Sequence, residues 1–128
     1  MPRLYLRYDL RAPAGMITAD ELYSTALDQC AWADKRGFHG VMVMEHHAST
    51  DGYCPSPLTF LAAAAARTKQ LLLNTSSYLL PLHHPVETAE QMAIVDIISN
   101  GRLQPVVAGG IERPSTHSST GRSRTGRR

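Results

Sequence analysis

The chain has no Gly-x-Gly-x-x-Gly motif, no Cys-x-x-Cys pair and no apolar run longer than Phe60 to Ala66. The first absence weakens a dinucleotide-binding reading, because a phosphate-cradling glycine turn is missing after the first apolar segment. The second removes the usual metal clip. Two cysteines, Cys30 and Cys54, stand 24 residues apart, a spacing that predicts reduced structural thiols, one on a helix face and one in a loop. The third excludes a bilayer span, and Met1 to Arg7 contain no apolar leader segment, so a cytoplasmic location is expected. Length is also short: 128 residues make one domain, about half of the ~250 that a closed (β/α)8 barrel requires.

What is present describes a globular chain, 43% apolar and 19% charged. The net charge of +2 is unevenly placed: residues 1–111 carry −2 and residues 112–128 carry +4. That last stretch has five Arg, seven Ser or Thr and no apolar residue, so it is expected to be a disordered basic tail outside the 1–111 domain. It contains no aromatic side chain to stack on bases, and nucleic-acid binding is not expected.

Within the domain, strand and helix signals alternate. Leu4 to Tyr8 predicts a first strand ending at Asp9. Thr18 and Glu21 form a capping-box pattern that opens a helix, with Leu22, Ala26, Cys30 and Ala33 as its apolar stripe, Asp28 and Asp34 on the other side, and Gly37 as its stop. Val41 to Met44 predicts a buried strand. Ser56-Pro57 caps a second helix whose alanines permit close approach to a sheet. Leu71 to Ser77 predicts a third strand, and Pro85 opens a helix with Val86, Ala89, Ala93, Ile94 and Ile97 at helical spacing, stopped by Asn100-Gly101. Leu103 to Ala108 predicts a fourth strand. The order β-α-β-α-β-α-β with short connections implies a parallel α/β sheet with right-handed crossovers.

In such sheets, chemistry gathers at the C-terminal strand ends. The second strand ends in Glu45-His46-His47. Alternation puts Glu45 and His47 on one side and His46 on the other. A zinc site combining His46 or His47 with His83 or His84 needs a long-range convergence that no spacing indicates, and a site without metal is expected. A solvated loop start is the plainer alternative for the histidine pair.

Several separated segments together resemble the bacterial luciferase-like monooxygenase family. They are Gly37-Phe38-His39-Gly40-Val41 leading into Glu45-His46-His47, Pro55-Ser56-Pro57, Leu80-Pro81-Leu82-His83-His84-Pro85-Val86 with Ala89-Glu90, and Asp96-Ile97-Ile98-Ser99-Asn100-Gly101-Arg102. The resemblance runs from residue 3 to about 110. It implies a TIM-type barrel acting on a small-molecule substrate with reduced FMN or the deazaflavin F420. His46 would be the catalytic acid or base, and Glu45 and His47 would support the pocket. Ser76 and Ser77 occupy the place of a bulge, often with a non-proline cis peptide, that lies against the cofactor ring, and Asp9 is a further pocket candidate.

The chain departs from the family by ending near the fourth strand, so only the first half of the barrel is expected, with truncation or a frameshift as the explanation. Half a barrel leaves two open parallel edges and an exposed inner face. Impaired activity alone is expected, as is association through the open edges with another copy or a complementary half.

Overall fold

The computed structural model describes residues 2–109. Their elements are β1 (Tyr5–Tyr8), α1 (Ala19–Asp34), β2 (Gly40–Val43), α2 (Pro57–Arg67), β3 (Leu72–Thr75), β4 (Tyr78–Leu79), a 3-10 turn (Leu80–Leu82), α3 (Pro85–Ser99), β5 (Leu103–Gln104) and β6 (Val107–Ala108). The tail expected from residue 112 lies outside the described residues.

The four-stranded sheet has the order β1-β2-β3-β5, all parallel. β2 is central, with Gly40 in register with Tyr5 on one side and Leu72 on the other. Its glycine is required by close approach: a Cβ there would stand 2.7 Å from both the Leu72 carbonyl oxygen and the Tyr5 ring. Alternation sorts the side chains. Val41, Val43, Leu73 and Thr75 are buried against the helices, while Met42, Asn74 and Gln104 share a register line on the opposite face.

Over the helix-facing side, α1 presents Ala26, Cys30 and Ala33, and α2 presents Leu58, Leu61, Ala64 and Ala65. The alanines let α2 sit low on the sheet. The capping box of α1 forms as the spacing predicts, with Glu21 N–H donating to Thr18 Oγ1 and Thr18 N–H to the Glu21 carboxylate. At α2, Ser56 occupies the N-cap but its hydroxyl pairs with that of Thr59. Both cysteines are free and buried, Cys54 included. Burial pushes the Cys30 thiol up to about 11 and raises that of Cys54, so neither is a ready nucleophile.

Three expectations are corrected. Asp34 is not on the solvent side of α1. It is buried, and its carboxylate accepts the N–H groups of Lys69, Gln70 and Leu71 at 2.8–2.9 Å, tying the end of α1 to the entry of β3. Arg102 completes this clamp by donating to Ala65 O, Thr68 O, Thr68 Oγ1, Leu71 O and Ser99 O. The inward stripe of α3 is Thr88, Met92, Val95 and Ser99, whereas Val86, Ile94 and Ile97 are exposed, Ile97 at 78%. An apolar helix surface on more than one face allows either stripe to turn inward, and the packing against α2 selects one.

The third correction concerns strand continuity. The third and fourth strands are each broken in two. Pro105 has no N–H to give the ladder, and beside it Thr75 Oγ1 accepts the Val106 N–H and donates to the Val106 carbonyl. Pairing then resumes as β4 with β6.

Among the described residues, β1 and β5 are each paired on one side only. Apolar surface is exposed beside both: Trp32 near β1, where a cleft of about 580 Å3 is lined by Leu6, Thr25, Asp28, Gln29 and Trp32, and Ile94, Ile97, Ile98, Val106 and Val107 near β5. No described helix is long and apolar enough to cross a membrane.

Asp34→Ala removes the acceptor of three N–H groups, of which that of Leu71 is buried, and is expected to cost about 2–3 kcal/mol in chemical denaturation. Burial works against ionisation of Asp34, but its three N–H donors and Arg102 hold the carboxyl below the usual value. The stabilisation is therefore full above the unfolded-state value of about 4 and fades as pH falls through the lower folded-state value. Asp34→Asn is expected to flatten that acid limb, and an unchanged limb would contradict the assignment. Gly40→Ala is expected to lower stability by about 1–3 kcal/mol through the backbone clash.

Candidate functional site

Because β1, β2 and β3 run parallel, their C-terminal ends deliver Asp9, Glu45 and Ser76 to one edge of the sheet. The loops after β1 and β2 are joined there. Cys54 N–H donates to Asp9 O, His46 N–H to Cys54 O, Ala12 N–H to Asp51 O, and Arg11 forms an ion pair with Asp51 at 2.6 Å.

Glu45 is the centre of this edge. Its side chain is fully buried. Oε1 faces His47 Nε2 at 2.7 Å and His83 Nε2 at 2.6 Å, and Oε2 accepts the Leu79 N–H at 2.7 Å. With Nε2 protonated, each imidazole donates. Burial raises the cost of the anion, yet the Leu79 N–H and the two imidazoles hold its carboxyl below the ordinary range. The His83 ring also stacks on Tyr78, with centroids 4.2 Å apart.

His46 turns away from that trio, as alternation predicts. Its ring stacks on Tyr53 at 3.9 Å between centroids, with 26° between planes. Tyr53 is held in turn by Met44 Sδ, which accepts from its hydroxyl at 3.1 Å and from Arg7 at 3.2 Å, and the Arg11 guanidinium lies 5.5 Å from the Tyr53 ring centre. Arg7, Asp9, Met44 and Tyr53 line a polar cleft of about 380 Å3. Asp9 thus reaches the cleft wall, and its Oδ1 accepts the Arg11 N–H.

Ser76 and Ser77 are half-buried at the bulge between β3 and β4, and the peptide bond joining them is cis. Ser76 N–H donates to Val43 O, which fixes the bulge against β2. On the open sheet face, Asn74 Nδ2 is buried without a partner among the described residues.

The structure therefore divides the sequence-derived residues between two neighbouring groups. Glu45 and His47 belong with His83 to a trio in which only the carboxylate is fully buried, and His46 and Asp9 belong to the cleft side. Tyr53 is not among the sequence-derived site residues; His83 enters there only as a partner of His46 or His47 in a zinc site whose convergence is not expected, and the fold brings it to His47 through Glu45. His83 lies within the Leu80 to Val86 segment that carries part of the resemblance, but nothing in the spacing 45, 47, 83 signals their meeting. Tyr53 sits in a polar loop with no periodicity to mark it.

Comparison with known proteins gives consistent results. The family model described as luciferase-like monooxygenase matches residues 8–123. The oxygenase component of the flavin-dependent trigonelline monooxygenase of Acinetobacter baylyi is 38% identical over 93 residues, covering 73% of this chain and 26% of that protein. The monooxygenase RslO1 of Streptomyces bottropensis superposes with a TM-score of 0.78 at 34% identity, over 83% of this chain and 32% of that one. The oxygenating constituent of 3,6-diketocamphane monooxygenase of Pseudomonas putida, solved with FMN, shares the fold with a TM-score of 0.77 at 24% identity, over 86% of this chain and 30% of that one. The chain spans about a quarter to a third of the length of these proteins, and its parallel β/α units are those of an incomplete TIM-type barrel. It is a member of the luciferase-like monooxygenase family.

Proposed function

We propose that this edge is the flavin-facing half of an oxidoreductase site that takes reduced FMN or F420, with His46 as the proton-handling residue. The observation that carries the reading is the arrival of Asp9, His46 and the Ser76-Ser77 bulge at one strand-end edge, beside a polar cleft. The residues present fit one side of such a group. Ser76 and Ser77 are small enough for close contact with a planar ring, and the orphaned Asn74 Nδ2 offers a donor on the open sheet face. When bound, the cofactor supplies the reducing equivalents, for O2 in the monooxygenase case or as hydride in the F420 case.

The chain's own residues would orient and move protons. The exposed imidazole of His46, braced by Tyr53, is free to exchange a proton at a ring nitrogen. Glu45, with His47 and His83, would fix the strand end on which His46 stands. The substrate is a small molecule bound on the same side.

A second reading is favoured by the apolar surface beside β1 and β5: the chain acts by association, with another copy or with a complementary half-barrel. The two readings are compatible, since association would supply the rest of the pocket wall.

Taken alone, the full chain is expected to bind reduced FMN or F420 with a Kd on the order of 1 mM, about 4 kcal/mol. Stoichiometric micromolar binding by a monomer would contradict the half-site account. In a chimera carrying this chain's 93-residue matched segment in the trigonelline monooxygenase component, His46→Ala is expected to lower turnover by about 10²–10⁴-fold, and undiminished turnover would remove His46 from the mechanism. Size-exclusion chromatography over a concentration series is expected to show self-association, and a monomer throughout would count against the second reading.

A further inference from the structure

We infer that Glu45, His47 and His83 form a site for a divalent cation of the zinc class, pinning the segment after β4 to the end of β2. The inference is independent of the flavin reading. The three donor atoms, one carboxylate oxygen and two imidazole Nε2 atoms, lie within 4.8 Å of one another. Both nitrogens converge on the same oxygen, Oε1, at 2.6 and 2.7 Å. Two histidines and one glutamate are a donor set that zinc accepts while keeping a further position for water.

Charge is the second argument. Glu45 has a fully buried side chain, and among the described residues its ion-pair partners are the two imidazoles, which carry charge only when protonated. A buried carboxylate paired only with imidazoles has hydrogen bonds but no permanent positive charge to offset its desolvation. A divalent cation on Oε1 and the two Nε2 atoms supplies that charge. Surrounding structure already braces the ligands: Oε2 is held by the Leu79 N–H, and His83 is stacked on Tyr78.

Geometry requires only a small adjustment. Donors about 2.0–2.2 Å from one tetrahedral ion stand roughly 3.3–3.5 Å apart, so the two Oε1 contacts need to open by less than about 1 Å, and the two Nε2 atoms, now within 4.8 Å of each other, come to the same spacing through side-chain rotation. Each ring shifts its proton from Nε2 to Nδ1, a tautomer change with no net proton gain or loss. Access is available, because the His47 and His83 side chains are 39% and 24% exposed.

The test uses the full chain, free of any affinity tag and stripped with chelator, without flavin. Cobalt(II) titration followed in the visible, and zinc(II) titration by calorimetry, are expected to show one equivalent bound, with four-coordinate cobalt bands that zinc displaces. His47→Gln and His83→Gln are each expected to weaken binding by at least about ten-fold, whereas His84→Gln, at the exposed neighbouring position, leaves it unchanged. Circular dichroism of each variant separates lost ligation from lost folding. Should one of the two variants fail to fold, the wild-type cobalt spectrum and the other variant decide. Absent cobalt bands, binding that survives loss of His47 or His83, or equal loss on His84→Gln would overturn the site.

Discussion

The carboxylate of Asp34, accepting three successive backbone N–H groups at the entry of β3 while Arg102 gathers the carbonyls of Ala65, Thr68 and Leu71, ties the end of α1, the end of α2 and the start of β3 into one unit. Backbone N–H groups just before a buried parallel strand lack a ladder partner, and that of Leu71 is buried as well, so a side chain meets them. One acid and one guanidinium satisfy much of that demand at the N-terminal edge of the sheet. These contacts tie α1, the α2 C-terminus, β3 and β5 together, and the parallel register Tyr5-Gly40-Leu72 brings the opposite strand ends level with one another.

Glu45 is the counterpart at that opposite edge. Both carboxylates are buried and held in the charged form by donors, yet their partners differ in kind. Asp34 faces backbone N–H groups and a permanent cation, a combination that serves stability. Glu45 faces two imidazoles and one N–H, beside a cleft, which leaves it open to a further charge and places it next to His46.

Much of this architecture was legible in the sequence because short-range rules govern it. The capping box at Thr18, the proline start of α3 and the Asn100-Gly101 stop are local backbone chemistry, and the alternation separating Glu45 and His47 from His46 is simple strand geometry. What was not legible depends on distant partners. Asp34 reads as a solvent-side acid until the chain at 69–71 is brought under it, α3 offers more than one apolar stripe, and the break at Pro105 matters only because Thr75 lies opposite. His83 likewise needs the fold: it lies 36 positions beyond His47, and the parallel register closes that gap to one shared oxygen.

Under the proposed function, the strand-end edge would be one wall of a larger site, and a partner surface would supply the rest of the barrel. The claim that flavin chemistry belongs to this edge is tested most directly by mapping backbone amide NMR shifts of the full chain during titration with reduced FMN into the millimolar range. The account predicts perturbations confined to Asp9, the segment from Met44 to His47, Tyr53 and the segment from Asn74 to Leu79. Shifts centred on the Leu6 and Trp32 cleft or on Lys69 to Leu71, or none at all, would contradict it.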